Sequence, residues 1–187
     1  SGRLEAGGQW AIRSSKHKHV LFGALLNGPC WLIVDHLDRP IQMSPGDCFL
    51  VTDDSSFRIC SDLAAEAMDA GTTGISAQPS VMRLGDGAET SLIGAKFTFD
   101  EIYGKALLNF LPPVIYVPSG SASAESLKTI LRRLGEEIDG PRLGSGLVVN
   151  HLALIALVQA VRVSLSCEER PCTGWLGALA DHKISTS

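Results

Sequence analysis

Two histidines at i and i+2, His17 and His19, flank Lys18. On a strand such a pair points to one side and can share a metal ion. A barrel that held metal this way would need a carboxylate and a further His nearby. Gly23 stands four residues past His19, and Phe57 opens a later strand, so the other ligands are missing where they are needed. The pair reads as a solvated loop beside Lys16 and Lys18, and neither metal nor cofactor is expected. The second candidates are the five thiols, Cys30, Cys48, Cys60, Cys167 and Cys172. An odd count in a mid-sized chain is no disulfide framework, and no pair has the spacing of a zinc knuckle. Cys30, Cys48 and Cys60 lie on or beside predicted strands and read as small buried hydrophobes. Cys167 and Cys172, in a loop with Arg170, are the better redox candidates. No Gly-x-Ser-x-Gly elbow and no Gly-rich phosphate loop is present. Asp53-Asp54 and Glu136-Glu137 are adjacent acids that point apart. His36, His151 and His182 stand alone, so no catalytic residue is expected.

The chain that must position these groups has 187 residues, 45% of them hydrophobic and 19% charged, which is enough apolar material for a core and excludes disorder. Its 16 basic and 20 acidic residues give a net charge of −4, so the chain itself is a poor match for nucleic acid. The start Ser1-Gly2-Arg3-Leu4 has no apolar run, so no signal peptide is expected and the compartment reads as cytoplasmic. Residues 147–165 are apolar over a membrane-spanning length. Asn150, His151, Gln159 and Arg162 would be costly in lipid, which favours a buried or interface helix over a membrane span.

The first hundred residues alternate short apolar runs with turn signals. Strands are predicted at 19–26, 30–34, 41–43, 48–51, 57–60, 81–84 and 90–99. Asn27-Gly28 marks a hairpin, and Ser44-Pro45-Gly46-Asp47 a tight turn. Residues 69–80 look like a loop. Helices then take over. Residues 101–111 can form a short one, ended by Pro112-Pro113. After the extended piece 114–117, Ser121 or Ser123 can cap a second helix. Its Leu127, Ile130, Leu131, Leu134 and Ile138 form one stripe. A long helix comes next at 147–165, and a last short one at 175–180. Strands first and helices second is an α+β plan, with an antiparallel sandwich or barrel in front.

Six segments in order resemble one family. They are Leu4-Glu5-Ala6-Gly7-Gly8-Gln9-Trp10-Ala11-Ile12-Arg13, then Asn27-Gly28-Pro29-Cys30-Trp31-Leu32, then Ser44-Pro45-Gly46-Asp47-Cys48-Phe49-Leu50-Val51. Next come Ile93-Gly94-Ala95-Lys96-Phe97-Thr98-Phe99-Asp100, Leu107-Leu108-Asn109-Phe110-Leu111-Pro112-Pro113-Val114-Ile115, and the stretch Gly174 to Ile184. Together they resemble the N-terminal cupin-type sensor domain of AraC-family transcription regulators. The resemblance implies a cupin-like antiparallel β-barrel (a double-stranded β-helix or jelly roll) over residues 1–117 and an α-helical dimerisation arm over 118–187. It implies effector sensing that controls a helix-turn-helix module after residue 187, through which alone DNA would be bound.

Small barrels can hold one ligand, so the pocket is expected at Trp31, Phe49 and Phe57 with His19 near the mouth. Plain core packing is the rival for these aromatics. A homodimer interface is expected on Leu127, Ile130, Leu131 and Leu134 of one helix and Leu154, Ile155 and Val158 of the next. Packing of the same stripes against the barrel is the rival there. Competing functions are a metal-dependent cupin enzyme of the oxygenase or isomerase type and a thiol-based redox sensor.

Overall fold

In the computed structural model, residues 1–15, 19–35, 37–52, 55–70, 80–98, 111–121 and 124–166 are described. Period-two alternation decides which layer each side chain enters. The strands are β1 (Gly2–Ala6), β2 (Ala11–Ser14), β3 (Val20–Asn27), β4 (Cys30–Val34), β5 (Ile41–Met43), β6 (Cys48–Val51), β7 (Phe57–Cys60), β8 (Met68–Asp69), β9 (Ser80–Leu84), β10 (Thr90–Phe97) and β11 (Val114–Val117). One sheet has the order β11-β6-β3-β10-β1-β9, the other β5-β4-β7-β2-β8. Two helices come after the strands, α1 (Glu125–Asp139) and α2 (Ser145–Ser166).

Three layers result. Leu25, Phe49, Val51, Leu92 and Val114 of the six-stranded sheet meet Cys30, Leu32, Val34, Met43 and Phe57 of the five-stranded sheet in one buried core. The neighbours Val20, Phe22, Ala24, Cys48, Leu50, Ile93, Ile115 and Val117 point the other way and join the two helices in a second core. The central strands of the six-stranded sheet are therefore apolar on both faces. All four residues of β6 are buried for this reason. The five-stranded sheet carries only a small outer cluster, Ala11, Cys60 and Ala65.

The strand-first, helix-second plan of the sequence is the plan of the molecule. Two differences concern the strands. β1·β9 and β2·β8 are parallel, whereas the other pairs are antiparallel. β1, β2 and β8 are additional to the strands expected from apolar runs. β1 alternates Leu4 and Ala6 with Arg3 and Glu5, β2 has only Ala11 and Ile12 before it turns polar, and β8 is two residues long. The Asn27-Gly28 turn needs its glycine on two counts. Gly28 has φ +71°, and a Cβ there would lie 2.3 Å from the Glu89 carbonyl oxygen.

α1 buries Leu127, Leu131, Leu134 and Ile138 on the sheet, with Ile130 packed at the margin. Burial of each leucine contributes about 2 kcal/mol. The expected serine cap is not used: the N-cap is Ala124, its N–H donating to the Ser121 carbonyl at 3.0 Å, while Ser123 lies outside the described residues. Gly140-Pro141 ends α1, as expected. The turn into α2 is tied by Ser145, whose Oγ donates to Glu137 and accepts from the Arg142 N–H, both at 2.5 Å. An ionic chain joins the far edge to this turn. Arg83 pairs with Glu5 at 3.1 Å, Glu5 with Arg3 at 3.6 Å, and Arg3 with Asp139 at the end of α1.

Among the described helices, α2 is long and apolar enough to cross a membrane. Here it lays Val149, Ala153, Ala156, Leu157, Ala160 and Val163 into the core beneath it. Residues 101–110 of the first expected short helix and all of the one expected at 175–180 lie outside the described residues, as do His17, His36, Phe99, Cys167, Cys172 and His182.

Candidate functional site

The interior between the sheets is built around a glycine. Gly23 on β3 stands directly opposite Phe49 on β6. A Cβ at position 23 would lie 2.3 Å from the Phe49 ring. The missing side chain thus makes the space the phenyl group fills. Phe57 meets that ring edge-on, with centroids 5.7 Å apart and planes at 66°. Such aromatic pairs add about 1 kcal/mol beyond area burial. Leu25, Leu32, Met43 and Val51 complete the packing, each essentially inaccessible to solvent.

The four residues expected to line a pocket are therefore not assembled around one cavity. Phe49 and Phe57 touch each other in the interior. Trp31 lies on the other face of its sheet, half-buried against Ala11, Cys60 and Ala65. His19 is half-buried just before β3, one step beyond Val20, which pairs with Phe97. Gly94 and Lys96 of β10 are exposed.

The described thiols divide among the layers. Cys30 lies between the sheets, Cys48 faces the helices, and Cys60 sits on the outer face of the five-stranded sheet. All are unpaired with one another. Burial pushes the Cys30 thiol up to about 12, helped by the charges of Cys60 and Asp47. Burial and the charge of Asp47 push Cys48 up to about 12 as well. Neither is a thiolate at neutral pH, which fits the reading of buried hydrophobes. Among the described residues, no three or more His, Cys, Asp or Glu side chains are placed to hold a metal ion.

A polar clamp centres on Asp47, where the sequence signals only a turn. Its carboxylate is 3% exposed and accepts three hydrogen bonds. They come from the Ser44 N–H at 2.7 Å, the Tyr116 hydroxyl at 2.6 Å and the Ser119 N–H at 2.7 Å. Burial, then the bond to Asp47, raises the Tyr116 phenol above its ordinary value. The Ser44 bond is legible in the sequence, since Asp and Ser side chains commonly close such turns. The other two join segments far apart in sequence and leave no local signal. The clamp ties the β5–β6 turn to the segment that leads from β11 into α1.

Clefts open on the surface of the described residues. One, of about 320 Å³, runs between the edge strands β5 and β11 and is lined by Leu37, Asp38, Arg39, Ile41, Val114 and Tyr116. Another, of about 330 Å³, lies at the α1–α2 turn, among Arg133, Glu137, Arg142 and Leu152. The helical stripes expected to pair two copies separate. Leu127, Leu131 and Leu134 are buried within the chain, with Ile130 partly so. Leu154, Ile155 and Val158 of α2 remain 45%, 46% and 42% exposed, with Leu147 and Leu165 continuing their face.

Two packed sheets with this strand order, succeeded by helices, define a cupin sandwich. The chain belongs to the cupin family, whose model matches residues 1–166. Among curated proteins it is 36% identical over all 187 residues to a "Putative AraC-like transcription regulator" of Streptomyces antibioticus. A protein of the same description from Streptomyces lividans matches equally, again 36% over 187 residues. In each case the match covers 100% of this chain and 62% of the relative's length.

Proposed function

We propose that the chain is the effector-sensing and dimerisation domain of an AraC-type transcription regulator. The observation that carries this reading is similarity, over the whole of this chain and 62% of their length, to relatives named as such regulators. Residues 1–117 would be the sensor and 118–187 the arm. A helix-turn-helix module beyond residue 187 would supply the DNA contacts, and the net charge of −4 agrees with leaving that task to another part. The working compartment would be the cytoplasm, and the activity regulation rather than catalysis.

The mechanism is a shift of population. A small molecule that binds one arrangement of sandwich and arm more tightly favours that arrangement. It thereby changes how two DNA-binding modules are presented, and the coupling equals the ligand's difference in affinity between the two states. Two copies would meet through α2. Leu147, Leu154, Val158 and Leu165 fall at spacings of seven, four and seven, one stripe along the helix, and remain open to solvent. Isologous pairing of such a face buries it on both partners at once.

Sedimentation equilibrium tests the pairing. The wild-type chain is expected to behave as a dimer. Leu154→Glu is expected to weaken the dimer at least tenfold while leaving circular dichroism unchanged, and to melt like wild type once both are diluted to monomer. A wild-type chain that stays monomeric throughout, or a variant that dimerises as well as wild type, would contradict the α2 interface.

A further inference from the structure

Phe49, lying over Gly23, takes up interior space where a ligand would sit. The cleft between β5 and β11 offers a different place. Its volume of about 320 Å³ falls at the small end of ligand sites, which run from about 300 to 1,000 Å³. Its walls are Leu37, Ile41, Val114 and the Tyr116 ring. One carboxylate and one guanidinium, from the chain neighbours Asp38 and Arg39, also line it. Both are exposed, and neither forms an ion pair among the described residues. Apolar walls together with a neighbouring acid and base complement a molecule with an apolar body and both charges at one end. The free α-amino acids with branched or aromatic side chains have that form. Tyr116 connects the cleft to the rest of the fold, because its hydroxyl donates to Asp47, and Asp47 in turn holds the Ser119 N–H at the start of the arm.

We propose that the β5–β11 cleft binds an apolar α-amino acid, with Arg39 on its carboxylate and Asp38 on its ammonium group. Occupancy is passed from Tyr116 through Asp47 to Ser119 and the helical arm. The regulatory part of this inference rests on the sensor reading above; the binding part does not.

The test is an amide-resonance titration of the chain with L-phenylalanine and with L-leucine. 3-Phenylpropionate, which lacks the ammonium group, and phenethylamine, which lacks the carboxylate, are the controls. At least one amino acid is expected to shift the amides of Ile41 and Tyr116 together with that of Ser119. Each control is expected to bind about tenfold or more weakly, the effect of losing one charge-assisted bond. In Arg39→Gln, L-phenylalanine should bind no better than phenethylamine. In Tyr116→Phe the cleft should still fill, but the response at Ser119 should disappear. Shifts confined to another part of the chain, no response to either amino acid, or controls that bind as well as the amino acids would each overturn the proposal. A cleft that binds as stated while the parent regulator's DNA affinity ignores the amino acid would instead overturn the sensor reading and leave the binding site standing.

Discussion

Gly23 and Phe49 are both visible in the sequence, but their relation is not. One stands out as a missing carboxylate and the other as a possible pocket wall. The structure makes them a single unit, a ring laid over the cross-strand partner that has no side chain. Gly23→Ala is therefore expected to destabilise the fold by about 1–3 kcal/mol through overpacking. Phe49→Leu in the same chain should recover part of that loss, as read by urea unfolding. The thiols make a second prediction. Cys30 and Cys48 hold their protons to about 12 in the fold, against an ordinary value of 9.0. The unfolded chain releases them first as the pH rises. Stability is then complete below about pH 9 and falls progressively toward pH 12, with Tyr116 acting in the same direction. Urea midpoints across that range check it, and a midpoint that holds steady up to pH 12 would contradict the buried placement. At neutral pH both cysteines should resist iodoacetamide until denaturant is added. Asp47 shows the limit of reading at this scale. Its turn is legible, whereas its bonds to Tyr116 and Ser119 cross about seventy positions and become visible only in three dimensions.

At the level of elements, the period of each segment is legible and its neighbour is not. β4 to β7 and β11 stand where their apolar runs put them, and α1 matches its leucine stripe. The stripe alone could not say whether it met a sheet or a second copy. The answer differs for the two helices, because α1 is amphipathic with one apolar face already covered, whereas α2 is apolar nearly all round and has a face left over. Leu131→Ala or Leu134→Ala is expected to cost about 2–5 kcal/mol of subunit stability. Leu154→Ala, on the exposed face, should change subunit stability by about 0.5 kcal/mol or less. Thermal unfolding at low protein concentration separates these cases. Equal losses at Leu134 and Leu154 would mean that α2 is packed on both sides within one chain. The edge strand β8 leaves no signal in the sequence because it lacks the apolar run of a central strand. Met68 is half exposed, and among the described residues the strand pairs only with β2.

For the molecule as a whole, three layers are linked by polar ties among the described residues. The Asp47 clamp joins the sandwich to the start of the arm, and Arg3–Asp139 joins β1 to the end of α1. The sandwich thus has covalent and hydrogen-bonded connections to the segment before α1 and to the end of α1, and these are the routes that the proposed sensor would use. The acidic balance agrees with the controlling part proposed above rather than with a DNA-gripping one. Should the chain be part of an AraC-type regulator, as proposed, the most direct measurement is the affinity of that whole regulator for its operator DNA, with and without Leu154→Glu and Val158→Glu. These positions lie on α2, far in sequence from any reader module beyond residue 187. If two copies joined through α2 present two such modules together, the variant should bind operator at least about tenfold more weakly, as two linked contacts become independent. Operator affinity unchanged from wild type would contradict the account.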